Sequence, residues 1–549
     1  METKIGGKKM KKLSMIVISL LLVFALIAAC APADTPAPAP GTDTAPPAQN
    51  ETPDDPTPPP AVDGPATEIT IWFMGGSATD DSDVIAAANA RLQELGLNIT
   101  INPIWSGGWS MQEEAQIALD TGDTSVDIFW TGSWGLLYAP NATRGNFVRL
   151  DDPNNDLLAQ YGQDMLAAVP EFLWDAFAVN GPQGFGIYGI PGYKDFAQLY
   201  TWDVNNTRLS GLGIDFDDLF DMDGINYDVI FDPLFEEAMQ RAKDEYGPTF
   251  FPLAMEGGGW ARMISNGDTD LTGADLMHFT FDPNNPAEPT DFLPGLAIEN
   301  ELTLRVYDRL HHFWNQGFID PRAAIPGEAA SVFIDQREAG EYLFATTVYA
   351  YGHTTQASAS RGIDARFPRM SNPIVSTVSA TGSGFAVSVY SRNQAAAVQF
   401  MNAWYTDQTL ADILVEGVEG VHHTRNADGT LTRLPGGRDR YAPWRFGMGN
   451  VFTFSPLDTE GPDYLEGFLA YNAAGIPVTF LGFTFDPANV LTEMSALSAV
   501  WDEFGQSLEV GAVEPRAGTE AFAAALRANG FDRFEAELHR QLEEFFAAR

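Results

Sequence analysis

Thiols are all but missing: Cys30 is the single cysteine in 549 residues. With that residue set aside, the chain has no disulfide, no cysteine-built metal site and no cysteine nucleophile. Lysine is nearly as scarce. Beyond Lys12 only Lys194 and Lys243 occur, and the other Lys/Arg positions are all arginine. Basic residues are few in total, 31 Lys+Arg against 74 Asp+Glu. That balance opposes binding to nucleic acid or to anionic membrane surfaces and fits a heavily solvated exterior. Catalytic signatures are also missing. There is no G-x-S-x-G and no H-E-x-x-H, and the histidine pairs His311-His312 and His422-His423 lack the i,i+4 spacing of a helical zinc site. Gly257–Gly259 is not followed by the Lys-Ser/Thr of a phosphate loop. The acidic stretch Asp215–Asp228 fails as a calcium loop. Placing Gly224 as the loop glycine puts Leu219 and Ile230 at the first and twelfth ligand positions. A turn leading into a helix over 233–246 is expected instead, since Asp and Gly favour turns. The acids are numerous enough that a carboxylate pair spaced for glycoside hydrolysis arises by chance, so a hydrolase remains a second reading.

What is present begins with one long apolar run, Leu13–Ala29, preceded by Lys8, Lys9, Lys11 and Lys12 and closed by Cys30. A cationic lead, an apolar run and small residues make a secretion signal. Ile27-Ala28-Ala29-Cys30 resembles the bacterial lipobox, which implies cleavage before Cys30 and lipidation of its thiol. An uncleaved anchor is the alternative, although a run of 17 residues is at the short limit for a bilayer span. Without residues 1–29 the chain holds 26 basic and 73 acidic residues, a formal charge of −47. Residues 31–66 contain 12 prolines and no aromatic. Such a segment cannot bury enough apolar surface to fold. As an extended stalk it could reach up to roughly 110 Å at ~3.1 Å per residue.

Hydrophobic residues at 45% and aromatics at 12% mark the remainder as globular, with room for two or three domains. Glu68–Met74 reads as a buried strand and Asp81–Leu95 as a helix stopped by Gly96. Leu97–Trp105 reads as a strand, Met111–Leu119 as a helix, and Val126–Trp130 as a third strand. This alternation predicts βαβ units and a largely parallel sheet. Ligands of open α/β sheets sit beyond the carboxyl ends of the strands. Those ends carry Gly75, Trp105, Trp109, Trp130, Ser133 and Trp134. Flat rings there suit the apolar C–H faces of a sugar, with polar groups fixing its orientation. Trp72, inside an apolar run, is expected in the core.

Several stretches, in order, resemble the carbohydrate-type extracellular solute-binding proteins of ABC importers. They are TGDTSVDIFWTGSWGLLYA (121–139), GIYGIP (186–191) with LYTWDVN (199–205), FIDQREAGEYLFATTVYAY (333–351) and GSGFAVSVYSRNQAAAVQFMNAWYT (382–406). VEGVEGVHH (415–423), FGMGNVF (446–452), GFTFDPANV (482–490) and the closing helical stretch 521–545 are similar to the LipO-like lipoproteins with a C-terminal DUF3502-type domain. His422-His423, where one His before an aromatic is usual, departs from that pattern, as does the scarcity of lysine.

The resemblance implies an α/β fold, periplasmic-binding-protein-like type II, with two α/β lobes, a hinge and a ligand cleft between them. Lobe one is expected at 67–195 plus 376–450, and lobe two at 196–375 plus 451–549. The implied function is non-enzymatic capture of an oligosaccharide, with a receptor for peptides or other solutes as a further alternative. No cofactor or metal is implied. The partners would be the small-molecule ligand and ABC permease subunits, with the membrane engaged only through the lipid anchor and no nucleic acid. The chain would be a monomer on the extracytoplasmic face of the cell membrane. The expected ligand-binding residues are Gly75, Trp105, Trp130, Ser133, Trp134, Tyr188, Lys194, Trp260, Tyr349, Tyr351, Ser383, Glu419, His422, Trp444 and Asn450.

Overall fold

TEITIWFM, apolar along most of its length, forms β1 (Thr67–Met74) in the interior of a five-stranded sheet of the computed structural model. Residues 64–76, 80–106, 110–255, 277–278, 295–296, 298 and 301–547 are described, all of them within the unit Pro58–Arg549. Cys30, the signal-like run, Trp109, Gly257–Gly259 and Trp260 lie outside the described residues.

From β1 the chain continues through α1 (Asp81–Glu94), β2 (Ile99–Ser106), α2 (Ser110–Thr121) and β3 (Ile128–Thr131). β1 pairs in parallel with β2 along its whole length and with β3 at Ile71 and Trp72. Burial on both faces explains why β1 reads as a continuous apolar run rather than an alternating one. Val84, Ala88 and Leu92 form the buried stripe of α1. That helix ends at Gly96, whose φ of +76° lets the Leu97 N–H reach back to the Leu92 carbonyl at 2.9 Å; a glycine takes this left-handed stop without a Cβ penalty.

β4 (Ile190–Pro191) forms the far edge of this sheet, and the chain then leaves it for β5 (Leu199–Asn205). All seven residues of β5 are buried. It is the centre of a second, three-stranded sheet, between antiparallel β6 (Phe344–Tyr349) and β7 (Ala365–Arg366). β8 (Gly384–Val387) re-enters the first sheet antiparallel to β3 and β4, giving the order β2-β1-β3-β8-β4. The parallel layout expected from the opening βαβ units therefore holds for β1–β3 and for β4 at the far edge, whereas β8 between them runs in the opposite direction.

Two large apolar cores result. One surrounds the first sheet with Ile71, Phe129, Phe385 and Trp404. The other joins Trp202 and Phe344 of the second sheet to α3 (Pro233–Tyr246) and α4 (Glu301–Asn315). Further along, α5 (Gln394–Thr406), α6 (Gln408–Glu416) and α7 (Tyr464–Ala473) precede a final trio, α8 (Leu491–Glu509), α9 (Pro515–Ala528) and α10 (Phe531–Ala547). Leu497, Phe522, Phe534 and Leu542 of the trio merge with the second core. Val451, Phe454 and Phe468, assigned above to the second lobe, pack instead in the first core, where Phe468 stacks on Tyr351.

The histidine pair on α4 is structural. His311 Nδ1 donates to the Gly511 carbonyl at 2.8 Å, and His312 meets Glu236 at 2.8 Å. Asp215 and Asp232 accept backbone N–H groups at the starts of short helical turns and of α3, as turn-forming acids should. No described helix is long and apolar enough to cross a membrane.

One buried ionic group locks the second sheet. Asp203 on β5 is fully buried and accepts from Arg337 at 2.8 Å, from Arg361 at 2.9 Å and from the Tyr342 hydroxyl at 2.7 Å. Removing the carboxylate leaves two guanidiniums without their common partner, so Asp203→Ala should lower unfolding stability by about 3–5 kcal/mol. Denaturant titration checks this, and a loss below ~1 kcal/mol would show the network to be solvated.

Candidate functional site

The loop after β3 is stitched to the segment that leads into β8. The Ser133 N–H donates to the Thr381 carbonyl at 2.9 Å, and its hydroxyl to that of Val378 at 2.8 Å. The Trp130 indole N–H donates to the Ser383 hydroxyl at 2.9 Å, and that of Trp134 to the Gly382 carbonyl at 2.7 Å. A third ring, Trp444, arrives from a distant part of the chain. The three indoles close a triangle of edge-to-face contacts. The centroids lie 5.3 Å apart for Trp130–Trp134, 5.9 Å for Trp130–Trp444 and 5.7 Å for Trp134–Trp444. Such geometry suits the negative face and positive edge of each ring. Trp134 is 36% exposed and Trp130 is fully buried, so Trp134 with the partly buried Trp444 forms the accessible face and Trp130 its floor.

Glycine makes this convergence feasible. A Cβ on Gly75 would stand 3.3 Å from the Trp444 Cβ, and one on Gly447 would stand 2.9 Å from the Trp444 ring. Gly75 also has φ +72°, a conformation that side chains disfavour. Gly75, Trp130, Ser133, Trp134, Ser383 and Trp444 are thus brought together at the carboxyl ends of β1 and β3. Ser383 and Trp130 are buried supports in this conformation rather than exposed contacts. Trp105 lies beside the group, stacked on Phe73 at 4.5 Å and set edge-on to Tyr441 at 6.3 Å. Its indole N–H is buried with no hydrogen-bond partner among the described residues.

Four expected contacts are displaced by burial. Tyr188 is fully buried in the first core, its hydroxyl donating to the Gly184 carbonyl at 2.9 Å, because the hairpin 178–187 turns the ring inward. Lys194 is 6% exposed and its ammonium is consumed internally. It lies 2.8 Å from the Asp195 carbonyl and 4.0 Å above the Phe446 ring. Burial pulls the Lys194 pKa down and pushes that of Asp195 up, and each partly offsets the other. His422 is 2% exposed. Its Nδ1 accepts the Val418 N–H at 3.0 Å, so Nε2 carries the proton that faces Asp80 at 3.2 Å. Asn450 is also buried, donating to the Tyr405 carbonyl at 3.0 Å and accepting from the Phe452 N–H. Each is a short polar tie inside a packed loop, a state that linear spacing does not distinguish from a ligand contact. Glu419 is exposed on the turn beside His423, apart from the tryptophans.

Tyr349 and Tyr351 form a separate aromatic group. β6 ends at Tyr349, so Tyr351 follows the strand rather than sharing its alternation. Both rings meet Tyr471 of α7, at 5.7 and 5.8 Å, and Tyr351 also packs on Tyr464 at 5.3 Å. Tyr464, Phe468 and Tyr471 went unnoticed in the sequence, although their i, i+4, i+7 spacing in YLEGFLAY is the signature of one helix face. Tyr349 also packs edge-on to His353, whose Nδ1 accepts the Ala350 N–H at 3.1 Å.

The loops behind Trp444 are held by a second unforeseen feature. α6 carries two buried acids one turn apart. Asp412 binds Arg425 at 2.7 Å and the Ser455 N–H at 2.7 Å, while Glu416 takes a bidentate pair from Arg433 at 2.7 and 2.8 Å. Two acids spaced i,i+4 in the otherwise apolar LADILVE were the available signal, since buried acids require partners.

With this geometry in hand, comparison with known proteins places the chain. Residues 479–547 match the model of a domain of unknown function, DUF3502. A carbohydrate ABC transporter substrate-binding protein of Streptococcus pneumoniae serotype 4 (strain ATCC BAA-334 / TIGR4) is 21% identical over 485 residues, covering 87% of this chain and 90% of that protein. The crystal structure of the N-glycan transport solute-binding protein NgtS from Streptococcus pneumoniae superposes with a TM-score of 0.72 at 19% identity, covering 87% of this chain and 99% of NgtS. NgtS in complex with Man5GlcNAc gives 0.69 at 19% identity, covering 88% and 99%. The fold is that of the type II periplasmic solute-binding proteins, two α/β lobes with a hinge and a cleft. Within that class, residues 479–547 carry the DUF3502 match, and over most of its length the chain is similar to a carbohydrate ABC transporter substrate-binding protein.

Burial and the nearby Arg337 and Arg361 lower the His353 pKa from 6.5 to about 4, against a smaller opposing pull from Asp203. Above about pH 6.5 both folded and unfolded forms are neutral there. As pH falls towards 4 only the unfolded form takes up the proton, so stability is lost across that window. His353→Gln should reduce the difference between denaturant midpoints measured at pH 7 and pH 5. An unchanged difference would mean that His353 titrates normally.

Proposed function

We propose that the chain is the capture receptor of an ABC importer, binding an oligosaccharide between its two lobes and presenting it to membrane permease subunits. The observation that carries this reading is the tryptophan triangle at the strand ends, with Trp134 exposed over a buried Trp130. Indole faces offer the apolar surface that sugar C–H groups stack on, and the hydroxyl-rich loops around them offer hydrogen bonds. NgtS, similar in fold, is an N-glycan transport protein and has been crystallised with Man5GlcNAc, which favours a mannose-containing glycan as the first ligand to try. Captured ligand would touch both lobes and select the closed arrangement through its higher affinity for it. The lobes are taken as 67–195 with 376–450 and 196–375 with 451–549, adjusted so that Val451, Phe454 and Phe468 go with the first. The protein works as a monomer without covalent chemistry. Cleaved and lipidated at Cys30, it stands on its proline-rich stalk at the extracytoplasmic face of the membrane, near the permease.

Calorimetry with mannose-containing oligosaccharides, other glycans and peptides tests the ligand class. Trp134→Ala and Trp444→Ala should each weaken glycan binding by about 1 kcal/mol, roughly fivefold, the scale of one ring contact. Unaltered affinity in both would remove the triangle from the site, and release of shortened glycan would replace the receptor reading with a hydrolase. Membrane fractionation of Cys30→Ser tests the anchor. The variant should appear in the medium or soluble fraction with its glycan affinity intact, and retention at the membrane would reject lipidation as the tether.

A further inference from the structure

Of the three indoles in the triangle, Trp444 alone makes no hydrogen bond through its ring nitrogen among the described residues, whereas Trp130 and Trp134 each donate to a partner. Its ring plane must be set by other means. The adjacent side chain runs away from the triangle into a nest of buried acids. Arg445 Nη1 pairs with Glu460 Oε1 at 2.6 Å, its Nε lies 3.7 Å from Glu416 Oε1, and its Nη2 approaches the Ser455 carbonyl at 3.4 Å. The two acids are almost inaccessible, with side chains 2% and 3% exposed. Both are anchored independently of Arg445. Glu460 accepts the Leu457 N–H at 2.9 Å, and Glu416 is gripped by Arg433. Between ring and clamp lies only backbone, closed into a tight turn by the Gly447 N–H bonding the Trp444 carbonyl at 2.9 Å. In the same turn Phe446 packs on the Trp444 ring, centroids 4.8 Å apart, and is itself pinned under the Lys194 ammonium.

We propose that Arg445, held by Glu460 and Glu416, is the positioning residue for ligand binding that sets the Trp444 ring in the stacking face. The inference rests on the reading of the triangle as the glycan site. A planar guanidinium reaching two carboxylates and a carbonyl fixes the backbone in direction as well as distance, which a single ammonium does not. A substitution that leaves packing intact but loosens the clamp therefore acts on the ligand through Trp444.

The experiment is a double-mutant cycle with a ligand-free readout beside it. Glu460→Gln preserves shape and removes the charge; Arg445→Lys preserves charge and removes the fork. Each should weaken binding of the best glycan in the panel by about three- to tenfold, within the range of a displaced ring contact. In a Trp444→Ala background neither should weaken it further. The near-ultraviolet circular dichroism of the ligand-free protein should change in Glu460→Gln towards the spectrum of Trp444→Phe. Equal weakening with and without Trp444, or a wild-type spectrum in Glu460→Gln, overturns the positioning role. If Trp444→Ala itself binds normally, the site reading fails and the proposal falls with it, a result distinct from a failure of the clamp alone. Should Arg445→Lys not fold, the isosteric Glu460→Gln carries the whole comparison.

Discussion

The antiparallel entry of β8 between β3 and β4 is the constraint on which the site depends. It sets Gly384 opposite Thr131 and Phe385 opposite Trp130, so the residues just before β8 lie against the loop just after β3. From that register follow the bonds from Trp130 to Ser383 and from Trp134 to Gly382. A shift of one residue would turn every side chain of β8 to the opposite face. The two buried segments then form a packed floor, and the exposed ring above it, the proposed ligand contact, needs little further ordering.

Polar groups in this protein are spent mainly on holding loops. Asp412 and Glu416 on α6 tie down Arg425 and Arg433, and Glu416 together with Glu460 holds Arg445 in the turn bearing Trp444. Lys194 joins the strand crossing between the cores to the same turn through Phe446. His422 links the 418–422 loop to Asp80 at the start of α1. Buried charge of this kind contributes little net stability, because desolvation offsets much of the attraction. Its value lies in direction: a bidentate pair specifies an angle, whereas apolar packing specifies only proximity.

Much of the framework was readable in advance. The alternation of strands and helices from Thr67 to Thr131 is local, governed by apolar periodicity and a glycine stop, and the structure follows it within one or two residues. Trp134 and Trp444 could be nominated because strand ends and family resemblance point there. Tyr188, Lys194, His422 and Asn450 were named by the same logic and turned out to be buried. Nothing in a linear neighbourhood tells an inward polar residue that satisfies a loop from an outward one awaiting ligand. The tyrosine face of α7 and the paired acids of α6 had audible signals, i,i+4,i+7 aromatics and i,i+4 acids in an apolar helix. Their partners lie on other segments.

The sequence by itself determined the class of fold, the absence of thiol chemistry beyond Cys30 and the acidic surface. These depend on composition and on periods of two to four residues. The tertiary structure alone decided which of twelve tryptophans share a face. Trp130 and Trp444 are more than three hundred residues apart in the chain. Their meeting depends on the pairing of β8 and on glycines that admit a close approach, and contacts across such separations are set by the packed chain as a whole.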